Sequence, residues 1–243
     1  MPSHSHPPVR QLPSELRQGV IRRVIQICFM LLMTGGILFA AAGTLAWSYA
    51  WWVLGVYFAA LLVAMALLVP RFPELVAERA KPAPADTLGW DKKLAPLYIL
   101  LSTFGVPLAA GLDYRLAGTA PMPGWIPILG LVAIPFSYGL VVWSMAANAH
   151  FVGNVRIQVD GTHQVASGGP YRLVRHPGYL GMTCQSVAMS LALSSLWALG
   201  AAGVAFIILV IRTALEDAAL RQQLPGYQEY ADEVRYRLFP GIW

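Results

Sequence analysis

Residues 24–70 read VIQICFMLLMTGGILFAAAGTLAWSYAWWVLGVYFAALLVAMALLVP, without one Lys, Arg, Asp or Glu. A helix needs roughly 20 residues to cross the hydrocarbon of a bilayer. The run is too long for one crossing and suits two, at 24–45 and 51–69, joined near AWSYAWW. The same reading extends along the chain. Leu94 to Leu112 is a third candidate, and a fourth lies within 125–149. Pro177 to Ile211 is again free of formal charge. It suits either one very long tilted helix or a hairpin of two. Ser194 and Ser195 in its middle favour the hairpin, with arms at 178–193 and 197–216, the first of them short. The expected fold is all-α and polytopic, with about six transmembrane helices, five being possible.

Composition agrees. The chain has 243 residues, of which 57% are hydrophobic and 12% charged. That is about half the charged share of an ordinary soluble domain. So much apolar surface does not fit inside one soluble core and calls for lipid. Cys28 and Cys184 both lie in apolar runs, with no metal-ligand spacing and no disulfide framework. His4 and His6 are too few to make a metal site, and none is expected. The first span is long and runs into a second, so it does not read as a cleaved signal.

Basic residues sort the two sides. Arg17, Arg22 and Arg23 precede the first span. Arg71, Arg79, Lys81, Lys92 and Lys93 follow the second. Arg156, Arg172 and Arg175 follow the fourth, and Arg221, Arg235 and Arg237 follow the last. With six spans these groups share one side, and Arg115 alone falls in a loop on the other. The positive-inside rule makes the crowded side cytoplasmic, with both termini there. The net charge of +5 then reflects span ends and anionic headgroups, not nucleic acid. The chain divides into a polar, disordered tail at 1–20, an N-terminal transmembrane region at 21–135, and a C-terminal core at 136–243.

One segment between the apolar runs is polar and motif-like: GGPYRLVRHPGYLG, Gly168 to Gly181. Trp143, Asn148, His150 and Asn154 lead towards it. Asp160-Gly161 and Gly168-Gly169 signal turns, and Pro170 and Pro177 stop helices from running through. A folded connection results, bringing Tyr171, Arg172, Arg175, His176 and Tyr179 to the membrane surface. Arginine offers a rigid fork of donors for a carboxylate. Histidine exchanges protons near neutrality. Tyrosine stacks and carries a hydroxyl. Tyr and Arg at span ends also serve as simple interfacial anchors, but Arg175-His176-Pro177 as a unit exceeds what anchoring needs. On the last span Arg212 and Glu216 stand four residues apart on one helix face. The tail LPGYQEYADEVRYRLFPGIW is amphipathic: Leu224, Tyr227, Val234 and Leu238 face apolar material, while Glu229, Asp232 and Glu233 face water. It suits a helix lying on the membrane or closing a site.

GPYRLVRHPGYLG, then RTALEDAAL, then LPGYQEYADEVRYRLFPGIW resembles the isoprenylcysteine carboxyl methyltransferase family, a broad group that includes related bacterial and phospholipid methyltransferases. The resemblance covers residues 140–243. It implies an integral membrane enzyme, in a bacterial inner membrane, that uses S-adenosylmethionine and releases S-adenosylhomocysteine. It also implies a cofactor site outside any Rossmann fold. On this chain Gly169, Pro170, Tyr171, Arg175, His176, Pro177, Tyr179 and Gly181 would line or shape that site. Glu216 would stand near the cofactor or the reacting centre, with Arg212 beside it, and Tyr227 and Tyr230 would close it. Glu216, Arg212 and Arg175 are the candidate catalytic residues. Relatives often carry two adjacent glutamates where this chain has Glu216-Asp217. The implied acceptor is an amphiphile or lipid drawn from the bilayer. It is methylated either on a prenylcysteine-like carboxylate or on an amine headgroup such as that of a phospholipid. A transporter would carry polar groups deep within its spans, which spans one to five almost lack. A non-catalytic scaffold has no need of RHPGY beside Arg212 and Glu216. Lipid-facing and partner-facing apolar surfaces look alike, so no oligomeric state follows.

Overall fold

The computed structural model describes residues 13–118, 122–148, 151 and 164–243. It is all-helical among those residues, and five helices are long and apolar enough to cross a membrane. They are α1 (Ser14–Ala42), α2 (Ser48–Leu68), the continuous rod Asp91–Ala117, α6 (Trp125–Ala147) and α8 (Leu196–Gln223). The rod comprises α4 (Asp91–Ile99), a π-helical turn (Leu100–Gly105) and α5 (Val106–Ala117). Short α3 (Pro73–Glu78) sits between α2 and α4. α7 (Pro177–Ala192) has 16 residues, so it rises about 24 Å at 1.5 Å per residue. It is the short arm of the expected hairpin, a sixth traverse too short for the usual hydrocarbon thickness. α9 (Tyr227–Glu233) lies in the tail.

The helices outrun the charge-free windows at both ends. α1 starts at Ser14 and takes in Arg17, Arg22 and Arg23. α8 continues through Arg212, Glu216, Asp217 and Arg221. Charge gaps mark where lipid begins, whereas backbone hydrogen bonding continues into the headgroup layer. α1 ends where Gly43 adopts φ 70° and returns its N–H to Phe39 O at 2.9 Å, a left-handed cap for which glycine carries no Cβ penalty.

The π-turn has a local cause. Pro107 has no N–H to give the carbonyl four residues back, that of Thr103. The Thr34 hydroxyl of α1 donates to this oxygen instead, at 3.3 Å. At the α7–α8 turn Ser194 takes φ 54°. Ser195 caps α8 by accepting from the Ala198 N–H at 3.0 Å. Asp113, from the end of α5, accepts from the Ser195 hydroxyl at 2.6 Å and the Trp197 N–H at 3.2 Å. A carboxylate suits the positive end of a helix. The hairpin turn is thus pinned to the far end of the rod.

Glycines let the helices touch. A Cβ at Gly130 on α6 would come within 2.7 Å of Ala188 O and 2.8 Å of Ala192 Cα on α7. At Gly111 it would lie 2.5 Å from Leu38 O of α1. Leu38, Ile134, Ala188, Ala192 and Leu193 build the main core around these contacts. Phe29, Leu32, Trp52, Phe58, Phe136 and Ile207 remain exposed on the outer faces, as lipid-facing side chains do. Gly130→Val should force α6 from α7 and lower the thermal midpoint of the purified protein. Overpacking of this kind costs roughly 1–3 kcal/mol. An unchanged midpoint would show that the α6–α7 approach is not tight.

The two ends of the bundle differ. Arg115, Asp113 and the hairpin turn share one end, with Arg115 beside Gly43 at the close of α1. At the other end Arg23 and Gln26 of α1 reach the Arg79 and Ala80 carbonyls after α3, and Arg79 donates to Phe151 O just beyond α6. Arg212 of α8 meets Asp91 at the start of α4. The motif segment and the tail lie at this second, cationic end.

Candidate functional site

The segment entering α7 is shaped by Gly169. Its φ is 58°, and a Cβ there would lie 3.0 Å from Trp143 Nε1 and 3.3 Å from Ala147 Cβ. Both the backbone and the space therefore require glycine. The 3₁₀ turn Gly169–Arg172 follows, with Pro170 and Tyr171 buried. The Tyr171 hydroxyl accepts from Asn148 Nδ2 at 3.3 Å, and its carbonyl accepts from the Tyr230 hydroxyl at 2.7 Å. Tyr171, Leu224, Tyr227, Tyr230 and Ala231 pack as one cluster. The tail helix thereby closes over the turn. Glu229, Asp232 and Glu233 are exposed on its other face.

The backbone N–H groups of Arg175 and His176 donate to the carbonyls of Tyr236 and Arg237, each at 2.9 Å. Pro177 then starts α7, where a missing N–H costs nothing. Sequence and tail are joined again through the Arg175 side chain. Its Nε and Nη2 form a fork onto Asp217, at 2.7 Å to Oδ1 and 3.1 Å to Oδ2. Its Nη1 donates to Val234 O at 2.7 Å and Arg235 O at 2.9 Å.

Asp217 is the hub of the assembly and has no exposed surface. Besides Arg175 it accepts from Arg221 Nε at 3.2 Å, Arg237 Nε at 3.0 Å and the Tyr227 hydroxyl at 3.0 Å. Burial first, then the Asp217 charge, pushes the Tyr227 hydroxyl far above its ordinary range. It therefore stays protonated and donates. Burial raises Tyr171 and Tyr230 in the same direction. His176 Nε2 lies 3.5 Å from Asp217 Oδ1. That exceeds the ordinary N–H···O range, and the buried nitrogen makes no hydrogen bond among the described residues.

Glu216 faces a second constellation. It is half-buried, and one oxygen accepts from the Tyr179 hydroxyl at 2.5 Å. The Tyr179 ring stacks on His176, with centroids 5.7 Å apart and planes 9° from parallel. The Arg212 guanidinium carbon stands 5.2 Å from the centre of the same ring. Arg212 is buried and pairs with Asp91 Oδ1 at 2.7 Å. The sequence placed Arg212 and Glu216 on one face. The structure joins them through Tyr179 and ties the arginine to α4.

Gly169, Pro170, Tyr171, Arg175, His176, Pro177, Tyr179, Glu216, Tyr227 and Tyr230 thus converge at one end of the bundle. Gly181 stands apart, in the α6–α7 contact, where a Cβ would lie 2.9 Å from Ser137 O. Its role there is packing. His150, Asn154, Arg156 and the Asp160-Gly161 turn lie outside the described residues. Asp217 entered the sequence reading only as the neighbour of Glu216, Arg237 only as a basic residue after the last span, and Asp91 not at all. The i,i+4 spacing of Asp217 and Arg221 was the one local signal; the other partners come from distant segments.

The half-buried carboxylate Glu216, an aromatic hydroxyl, a buried imidazole nitrogen without a hydrogen bond among the described residues, and an interlocked tail stand together at this end of the bundle, a donor and acceptor set suited to a polar ligand. Residues 125–225 match the family model described as phospholipid methyltransferase. No curated protein matches the chain.

Proposed function

We propose that this chain transfers a methyl group from S-adenosylmethionine to an amphiphile of the bilayer, starting from the match of residues 125–225 to the phospholipid methyltransferase family model and from the resemblance of its C-terminal motifs to the isoprenylcysteine carboxyl methyltransferase group. The observation that carries the reading is the half-buried Glu216–Tyr179 pair, next in sequence to the Asp217 clasp that holds the tail down. The donor set fits the cofactor. The Glu216 carboxylate suits an ammonium or a ribose hydroxyl. The buried His176 Nε2, 3.5 Å from Asp217 Oδ1 and without a hydrogen bond among the described residues, suits a polar edge. Tyr171 and Asn148 border the same end. When bound, the cofactor supplies a methyl carbon on a sulfonium, which is already electrophilic.

The protein's task is then to orient the nucleophile and exclude water. Good positioning is worth roughly 7–11 kcal/mol in the best intramolecular cases. Arg175 acts as a positioning residue, since its fork and Nη1 hold Asp217 and the tail carbonyls. Arg212 positions Tyr179 through its ring, and Tyr179 positions Glu216. A carboxylate acceptor attacks as its anion and needs no base. This O-methylation, on a lipid-like or prenylcysteine-like acid, is the reaction to which the tail motifs point. An amine acceptor loses a proton, and Glu216 or His176 would take it. The description of the matching family favours this second chemistry. The cationic end faces the cytoplasm by the positive-inside rule, with both termini there. A bacterial inner membrane is the membrane proposed.

Incubating the purified protein with methyl-labelled cofactor tests the reading, using a prenylcysteine analogue, phosphatidylethanolamine and a total lipid extract as separate acceptors. Alkali-labile label on the first indicates O-methylation, and alkali-stable label on an amine headgroup indicates N-methylation. No label on any acceptor contradicts the proposal.

A further inference from the structure

A cavity of about 540 Å³ lies inside the bundle, bounded by α1, α2, the π-turn, α6 and α7. Small-molecule sites commonly span roughly 300–1,000 Å³. Its walls are mainly Leu, Ile, Met and aromatic side chains. Phe29, Met30 and Ile99 line it and are exposed on the outer surface as well, so it reaches the lipid-facing side between α1 and α4. The π-turn turns Ser102 and Thr103 towards it. Such turns recur at functional sites.

One end of this cavity is cationic. Arg23 and Arg79 both line it. Arg23 Nη1 reaches the Arg79 carbonyl at 3.4 Å and Gln26 Oε1 at 3.4 Å. Arg79 Nη1 donates to Phe151 O at 3.2 Å, with its guanidinium carbon 5.4 Å from the Phe151 ring centre. These acceptors are all neutral, and among the described residues no carboxylate forms an ion pair with either arginine. Burial, and then the Arg23 charge, lowers Arg79 to about 10. It remains protonated at neutral pH, yet the site stands to gain from a negative charge. Arginines at span ends often reach simply for headgroups. Gln185 argues for more: it lines the same cavity, and both its amide atoms are buried without a hydrogen-bond partner among the described residues. Buried polar atoms of that kind call for a polar ligand.

The cavity also adjoins the methyl-transfer site. The Phe151 ring contacts Gly178, next to Tyr179. Tyr98 and Met182 line the cavity and pack in one cluster with Tyr179. We propose that this cavity seats the acceptor, its hydrocarbon chain along α1 and the π-turn, and that Arg23 and Arg79 bind an oxyanion on it, a phosphate or a carboxylate. The assignment of this ligand as acceptor rests on the methyl-transfer reading; the anion site itself does not. Arginine forks fit both oxyanions, and Gln185 contributes to specificity.

The test uses the purified full chain and three probes of equal chain length: hexadecyl phosphate, palmitate and hexadecanol. Binding is read by native mass spectrometry. At least one anionic probe should bind about ten-fold or more tighter than the alcohol. Arg23→Gln and Arg79→Gln should each erase most of that difference, Arg79→Lys should retain part of it, and Gln185→Leu should weaken it while leaving both charges in place. Size-exclusion chromatography and protease resistance of the tail establish that each variant is folded. Preference for phosphate points to a phospholipid-like headgroup and preference for palmitate to an acid acceptor; either supports the site. Equal binding of the alcohol by the wild type, or anion preference that survives both arginine substitutions, overturns it. Anion preference without methyl transfer to any acceptor would leave the site standing and remove the enzymatic reading. Methyl transfer without anion preference would do the reverse.

Discussion

Asp217→Ala should release the C-terminal tail. The carboxylate is fully buried and accepts from three arginines and Tyr227. Removing it leaves Arg175 buried beside Arg221 and Arg237 with no counter-charge. Breaking one partner of a buried pair costs ~3–5 kcal/mol, a large part of the ~5–15 kcal/mol that holds a typical domain together. The damage should be local first, because Arg175 also binds the Val234 and Arg235 carbonyls and thereby fastens the tail. Limited proteolysis should cut between Tyr227 and Trp243 in the variant and spare the wild type. Asp217→Asn, which retains one acceptor oxygen, should fall between them. A tail equally protected in Asp217→Ala would mean that the aromatic cluster, not the clasp, holds it.

Glu216→Gln should retain the fold and lose the reaction. The amide oxygen still accepts from Tyr179, so the local geometry survives, but the negative charge does not. Loss of a hydrogen bond to a charged group is worth ~1.5–3 kcal/mol, or roughly 10–100-fold in affinity or rate. Loss of a proton acceptor is worth about 10²–10⁴-fold. The split between constants identifies the role. A rise in cofactor dissociation constant places Glu216 on the cofactor. A fall in turnover at unchanged cofactor affinity places it at the acceptor. Tyr179→Phe should shift the same constant in the same direction, more weakly. If neither constant moves, both roles are wrong.

These two neighbours show what the sequence could and could not convey. The spans were legible because lipid permits no charge for some twenty residues, and charge gaps are local information. The α7–α8 hairpin was legible from Ser194-Ser195, which supply the turn and the cap of α8. The tail's polarity was legible from spacing alone: Leu224, Tyr227 and Leu238 are buried, while Glu229 and Asp232 are exposed. Pairings between distant segments were not legible. Arg212 stands four residues from Glu216 on one helix, yet its carboxylate partner Asp91 lies 121 positions away. Arg175 was read as a fork for a ligand carboxylate. It has that fork, but aims it at Asp217, 42 positions along the chain. Helical spacing tells which residues share a face. It does not tell which other element arrives at that face, and that decides whether a charge is a clamp or a contact for substrate.

The cavity with Arg23 and Arg79 was hidden for the same reason. Each arginine sits at the end of an apolar run and reads as a headgroup anchor. Only the packing of α3 against α1 brings the two side by side over an internal space. Gln185 stands among other polar residues of α7, Thr183, Ser186 and Ser190, and its sequence context did not set it apart.

In the proposed reaction the interlocked cationic end of the bundle holds S-adenosylmethionine and delivers its methyl group to a membrane amphiphile. The most direct measurement incubates wild type and Glu216→Gln with methyl-labelled cofactor and total lipid extract, then counts label in the organic phase. Label should enter lipid with the wild type, and at least about ten-fold less of it with the variant. No label above a protein-free control, from wild-type protein whose tail resists protease, would contradict it.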